Sequence, residues 1–189
     1  MIASIYKPVL SLRISVTDRC QLRCRYCMPA AGVPFCGHDE IISFEEIKDF
    51  VAQLQVADDV RKVRLTGGDP LARKGIVELV AMLSELGIPD LALTTNAQRL
   101  ASMAAPLKAA GLDRVNISLD ALEPGTFERI TRSDSVDATV AGIDAALEAD
   151  LRPVKLNMVV MQGINEHEVR DVLTFALKRG CELRFLELM

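Results

Sequence analysis

The sequence has no excess of positive charge, no long apolar run and no low-complexity tract. Lysine and arginine number 22 against 26 aspartates and glutamates, a formal net charge of −4. Such a chain lacks the basic footprint of a nucleic-acid binder, although a local cationic pocket for a small anion stays open. No apolar stretch is long enough to cross a bilayer. Met1 to Val16, which includes Lys7, Pro8 and Arg13, carries no apolar core of a secretory signal. The cytoplasm is the expected location, with neither membrane nor nucleic acid as a partner. Tryptophan is absent and other aromatics are few, yet 50% of residues are hydrophobic and 25% charged. That balance excludes a disordered chain, a collagen and a coiled coil. Length excludes more. A βα unit takes roughly 30 residues and a closed (β/α)₈ barrel about 250, so these 189 residues suit about six units.

What is present is a strand–helix alternation from end to end. Strands are predicted at Ser11–Val16, Arg61–Leu65, Leu91–Thr94, Arg114–Leu119, Pro153–Val159 and Glu182–Leu188. Between them fall helices at Ile41–Leu54, at Arg73–Leu86, and through Ala110 up to Gly111. Two more follow at Thr126–Thr131 and Val136–Ala149, and a last one at Glu166–Arg179. Ser43 and Glu46 form a capping box at the start of the first helix. This order predicts a parallel α/β fold. With no linker in view, residues 1–189 read as one domain.

An open doubly wound sheet and a partial (β/α)₆ barrel share this order, and the strands discriminate between them. Strands buried on both faces are apolar nearly throughout. Here Leu12, Ile14 and Val16 alternate with Arg13, Ser15 and Thr17, and Val63 and Leu65 with Arg64 and Thr66. Val115, Ile117 and Leu119 alternate with Asn116, Ser118 and Asp120, and Val154, Leu156 and Met158 with Lys155 and Asn157. Side chains alternate faces along a strand. One face therefore packs on helices while the other carries Arg13, Arg64 and Lys155. Some of these strands as solvent-facing sheet edges would show the same pattern. Its recurrence in several strands favours a curved sheet around a polar cavity that can hold an anion.

Cys20, Cys24 and Cys27 follow the first strand with spacing C-x₃-C-x₂-C. In a reducing compartment such spacing points to metal or catalysis instead of disulfides. Three soft thiolates in one short loop suit zinc or an iron–sulfur cluster. A 4Fe–4S cluster normally takes four cysteines, so three leave one iron open to a ligand. The zinc alternative takes His38 or Cys36 as a fourth ligand, although no second cysteine clip is present. The neighbouring Arg19, Arg23 and Arg25 are expected to favour thiolate. Cys181 reads as an ordinary buried cysteine.

The cysteine motif, with Gly67-Gly68-Asp69-Pro70 after the second strand, resembles the radical S-adenosylmethionine superfamily. Within it, the chain resembles the GTP 3′,8-cyclase family of molybdenum cofactor biosynthesis. The blocks that carry this are Leu12 to Cys20, Cys27-Met-Pro, Ser43-Phe-Glu-Glu, Arg64-Leu-Thr-Gly-Gly and Leu93-Thr-Thr-Asn96. Val115 to Asp120, Val154-Lys-Leu-Asn157 and Leu183 to Met189 continue them, so the resemblance covers essentially the whole chain.

The resemblance implies a partial (β/α)₆ barrel that ends after its sixth strand. It also implies a lyase that uses a 4Fe–4S cluster and S-adenosyl-L-methionine. Cys20, Cys24 and Cys27 would bind the cluster. The cofactor-binding residues would be Tyr26, Gly67, Gly68, Asp69, Ser118 and Met189, and the GTP-binding residues Arg13, Arg64, Thr95 and Lys155. The radical would come from the cofactor, and the protein would hold GTP against it and exclude water. A reductase or flavodoxin-type electron donor is implied as a partner. So is a homodimer or a further C-terminal region.

Three departures accompany the resemblance. Asp69 stands where the family carries Glu, and Ala97 where it carries Gly. The family's C-terminal second-cluster region is absent, which leaves three expectations open. One is a cyclase whose remainder lies elsewhere. Another is a one-cluster radical enzyme that cleaves S-adenosylmethionine without cyclising GTP. The third is a non-catalytic metal-binding or interaction protein that keeps the fold.

Overall fold

Six parallel strands pair strictly in chain order, β1-β2-β3-β4-β5-β6. They are β1 Val9–Ser15, β2 Asp59–Thr66, β3 Leu91–Thr95, β4 Arg114–Ser118, β5 Lys155–Val160 and β6 Glu182–Glu187. The helices are α1 Phe44–Ala57, α2 Ile76–Ser84, α3 Leu100–Ala109, α4 Pro124–Thr131, α5 Val136–Glu148 and α6 Val169–Lys178. Short 3₁₀ turns cover Pro70–Ala72 and Glu166–Glu168. The computed structural model describes residues 9–37, 40–133 and 135–188. The sheet curls into a half barrel with its helices outside, the partial barrel expected from the alternation. Among the described residues, no helix is long and apolar enough to cross a membrane.

The outward faces of the strands make the core. Val63, Leu65, Leu91, Leu93, Val115, Ile117, Leu156 and Met158 are all fully buried under the helices. They belong to one hydrophobic cluster that includes Ile47 and Val51 of α1, Leu79 and Leu83 of α2, and Leu107 of α3. Burial of this kind contributes ~25 cal/mol per Å² of apolar surface removed from water and commits each strand to one register. Ser43 caps α1 as expected, its hydroxyl accepting from the Glu46 amide at 3.1 Å while Glu46 accepts from the Ser43 amide at 2.8 Å.

The inward faces form rows across the sheet. Arg13 is level with Arg64, Arg64 with Ala92, and Ala92 with Arg114. The next row toward the carboxyl ends runs through Ser15 and Thr66, then Thr94, Asn116, Lys155 and Glu182. Ser118, Asn157 and Arg184 form a third. The polar alternation therefore lines a lumen, as the sequence indicated, with β1 and β6 as the edges of the described sheet. Helix α2 differs from expectation. It begins at Ile76 because Pro70–Ala72 makes a separate turn and Gly75 takes a left-handed φ of 81°.

Candidate active site

The loop after β1 is held on both sides by backbone. On one side, the Arg23 amide donates to the Thr131 carbonyl at 3.0 Å and the Arg25 amide to that of Ile130 at 2.9 Å. Arg132 donates to the carbonyls of Arg23 and Met28. The C-terminal end of α4 thus clamps the cysteine loop. A turn, with the Cys27 and Met28 amides both donating to the Cys24 carbonyl, brings Cys24 and Cys27 together.

On the other side the loop meets the glycine pair. The Gly68 amide donates to the Thr17 carbonyl at 2.6 Å, and the Asp69 amide to that of Arg19 at 2.7 Å. A Cβ on Gly67 would lie 2.4 Å from the Thr17 carbonyl oxygen, and one on Gly68 2.4 Å from that of Arg19. Only glycine lets these two backbones touch. The pair is therefore more than an ordinary strand–helix turn.

Asp69 is 1% exposed, and its carboxylate points into the fold. It accepts from the Leu71 amide at 2.9 Å, from the Thr95 hydroxyl at 2.7 Å and from the Asn96 amide at 2.7 Å. Burial pushes its carboxyl above the ordinary value, and these hydrogen bonds oppose the rise. The shorter side chain at this position thus joins the ends of β2 and β3. Ala97 accepts a left-handed φ of 63° where glycine was expected. Its methyl fits because α5 has Gly142 opposite, where a Cβ would come within 2.9 Å of it.

These segments enclose a cavity of about 290 Å³. It is lined by Cys20, Cys24 and Cys27, by Gly67, Gly68 and Asp69, and by Tyr26, Thr95 and Ser118. Nine of the sequence-assigned positions therefore share one wall-to-wall space. Met189 lies outside the described residues, as does His38. Tyr26 donates its hydroxyl to Asp120 at 2.7 Å, and Asp120 also accepts from the Val159 amide at 2.8 Å. Burial, with Asp120 beside it, raises the Tyr26 phenol far above its usual value. Asp120, 3% exposed, thereby anchors the cysteine loop to β4 and β5.

Cys20 and Cys24 do not behave as their arginine neighbours suggested. Burial raises Cys20, and burial followed by the charges of Cys27, Asp120 and Cys20 pushes Cys24 up to about 12. Arg23 instead donates to the Ala30 carbonyl, and Arg19 lies 5.5 Å from the Phe35 ring. Among the described residues no three acidic, histidine or cysteine side chains gather as ligands of one ion. Three soft thiols lining one cavity are a donor set that a 4Fe–4S cluster takes, one iron to each thiolate.

The cations predicted for the substrate lie deeper in the lumen. Burial, and then Arg114, Arg13 and Arg184, lower the Arg64 guanidinium below its usual value, and its Nε is buried with no partner. Arg114, which the sequence reading missed, donates to both oxygens of Asp90 at 2.8 and 2.9 Å. Its signal was present: Arg114, Asn116 and Ser118 share one strand face. Lys155 pairs with Glu182 at 2.5 Å. Thr95 falls on the other face of β3, with its hydroxyl engaged by Asp69. The lumen-facing hydroxyl is that of Thr94, which accepts from Asn116 at 3.4 Å. Arg13, Arg64 and Lys155 thus share the lumen, and Thr95 stands apart from them.

A half barrel with a three-thiol loop over a polar lumen defines an α/β protein with the donor set of a thiolate-ligated cluster. The chain belongs to the Radical SAM superfamily, which it matches over residues 14–176. It is 52% identical over 190 residues to the GTP 3′,8-cyclase of Heliobacterium modesticaldum, covering 100% of this chain and 58% of that enzyme. It is 48% identical over 179 residues to that of Moorella thermoacetica, covering 94% and 55%. The chain thus spans little more than half the length of these curated relatives. Among solved structures, Streptococcus suis SuiB bound to S-adenosylmethionine superposes with a TM-score of 0.80 at 19% identity, covering 95% of this chain and 41% of SuiB. Methylornithine synthase (PylB) gives 0.74 at 16% identity, covering 97% and 54%. At such identities these two show the fold.

Gly68→Ala is expected to cost ~1–3 kcal/mol, the usual price of forcing an atom into closed packing. Thermal and urea unfolding of the metal-free chain measure this, and an unchanged midpoint would mean that the two loops do not touch as described. Alkylation of Cys24, mapped by mass spectrometry, should keep accelerating about tenfold per pH unit beyond pH ~9, because only thiolate reacts. A plateau below that pH would contradict the raised Cys24 thiol.

Proposed function

We propose that the chain is the radical S-adenosylmethionine core of a GTP 3′,8-cyclase, converting GTP to 3′,8-cyclo-7,8-dihydro-GTP in molybdenum cofactor biosynthesis. The observation that carries the reading is the guanidinium row Arg13, Arg64 and Arg114, with its unpartnered Arg64 Nε, beneath a three-thiol cavity. An array of like charges costs free energy in the absence of a ligand, and a polyanion such as a triphosphate offsets that cost. Identity of 46–52% to several cyclases along the chain supports the same substrate.

Cys20, Cys24 and Cys27 would hold the 4Fe–4S cluster, with S-adenosylmethionine in the cavity beside Gly67, Gly68, Asp69, Tyr26 and Ser118. Met189 is retained as a further cofactor contact on the resemblance alone. Bound together, cluster and cofactor supply the radical that abstracts hydrogen from the substrate. The protein's own work is positional. Arg13, Arg64 and Lys155 fix the phosphates and thereby hold the nucleotide in place. Lys155 exchanges Glu182 for phosphate when substrate enters. Thr95 acts through Asp69 and holds the end of β3. Residues 1–189 serve as one core domain in the cytoplasm. A reductase or flavodoxin-type donor, and a second copy or a further C-terminal region, complete the enzyme.

Arg64→Ala tests the substrate assignment. Loss of a charged hydrogen bond is worth ~1.5–3 kcal/mol, so GTP affinity should fall about 10- to 150-fold while reductive cleavage of S-adenosylmethionine continues. GTP titration and product analysis, with a cyclase C-terminal half supplied, separate the two. Unaltered GTP binding would remove the triphosphate from this row.

A further inference from the structure

Asn96 is held at the cavity through its backbone and through both ends of its side-chain amide. Its backbone amide donates to Asp69 at 2.7 Å, and its carbonyl accepts from the Thr139 hydroxyl at 3.0 Å. Its side-chain oxygen accepts from the Gln98 amide at 3.0 Å. That contact settles which way the side-chain amide points, since an NH₂ group cannot accept from a backbone N–H. The two Nδ2 hydrogens are therefore aimed at the cysteine loop. One reaches the Cys20 sulfur at 3.4 Å and the other the Gln21 side-chain oxygen at 3.0 Å. The Leu22 amide donates to the same sulfur at 3.4 Å. Cys20 thus receives N–H···S bonds from a side chain brought in from β3 and from its own loop.

We propose that Asn96 raises the reduction potential of the cluster by donating a hydrogen bond to the Cys20 sulfur. This rests on the cluster reading above. A donor stabilises the more negative, reduced cluster more than the oxidised one, and hydrogen bonds to the sulfurs are among the levers that set such potentials. The leverage is large here because Asn96 is 7% exposed and water does not compete well for the bond. Asp69 gains a role by the same route. It holds the Asn96 backbone and thereby aims the amide, which makes both of them positioning residues for electron transfer into the site.

The full chain, reconstituted anaerobically and assayed for iron and sulfide, is titrated with dithionite while the reduced cluster is followed by electron paramagnetic resonance. Asn96→Leu, which keeps the shape and removes the donor, should lower the reduced-to-oxidised ratio three- to tenfold at fixed potential, where tenfold equals ~59 mV for one electron. Asn96→Asp keeps an oxygen for the Gln98 amide and replaces the donor with an acceptor, and it should shift in the same direction. An unmoved midpoint in either variant that loads a cluster overturns the proposal. Should neither load, wild-type protein labelled with ¹⁵N-asparagine decides. Hyperfine coupling of one labelled nitrogen to the reduced cluster is expected, and its absence overturns the proposal. Wild-type chain that takes up no 4Fe–4S cluster sinks both this proposal and the functional reading. Wild type that loads and cleaves S-adenosylmethionine, with the variants unshifted, sinks only the proposal.

Discussion

The buried carboxylate of Asp69 is the constraint on which the site depends. A charge removed from water is tolerable only when hydrogen bonds replace its hydration. Here the Leu71 amide, the Thr95 hydroxyl and the Asn96 amide do so. The consequence is geometric. The end of β2 cannot move without the end of β3, and through Asn96 the end of β3 reaches Cys20. Meanwhile the Asp69 backbone presses on the exit of β1 at Arg19. Three strand ends are thus joined around one side chain, and the cavity forms between them.

Below that junction the lumen has the opposite electrostatic character. Arg13 and Arg64 stand level on neighbouring strands, Arg114 continues the row beyond Ala92, and Asp90 offsets Arg114 and Lys62 by binding both. The fold tolerates this because the outward faces of β2 to β5 are largely apolar and buried, which supplies stability independent of what the lumen holds. The separation assigns stability to one face of each strand and binding to the other. The three thiols line a cavity at the carboxyl ends of the strands, and the guanidiniums stand in a row below it.

Much of this was readable in the sequence. The period-two alternation in β1, β2, β4 and β5 announced a polar lumen, and C-x₃-C-x₂-C announced the metal loop. Ser43 and Glu46 announced the start of α1. The same alternation, followed strictly, would have put Thr94 in the lumen and Thr95 on the outer face with Leu91 and Leu93. It would also have added Arg114 to the cations. Other features had no local signal. That Asn96 faces Cys20, and that Asp120 anchors Tyr26, depends on contacts 76 and 94 residues apart in the chain. The arginines flanking the cysteines misled for a similar reason: Arg19 and Arg23 turn to other partners, and burial decides Cys20 and Cys24 instead.

The central claim is that these three thiols hold a 4Fe–4S cluster that S-adenosylmethionine can reach. Anaerobic reconstitution of the chain, with iron and sulfide counted and S-adenosylmethionine added after reduction, tests it most directly. The account predicts one cluster of about four irons and four sulfides bound by the three cysteines, with 5′-deoxyadenosine formed. A single tetrahedral zinc with no 5′-deoxyadenosine would contradict it.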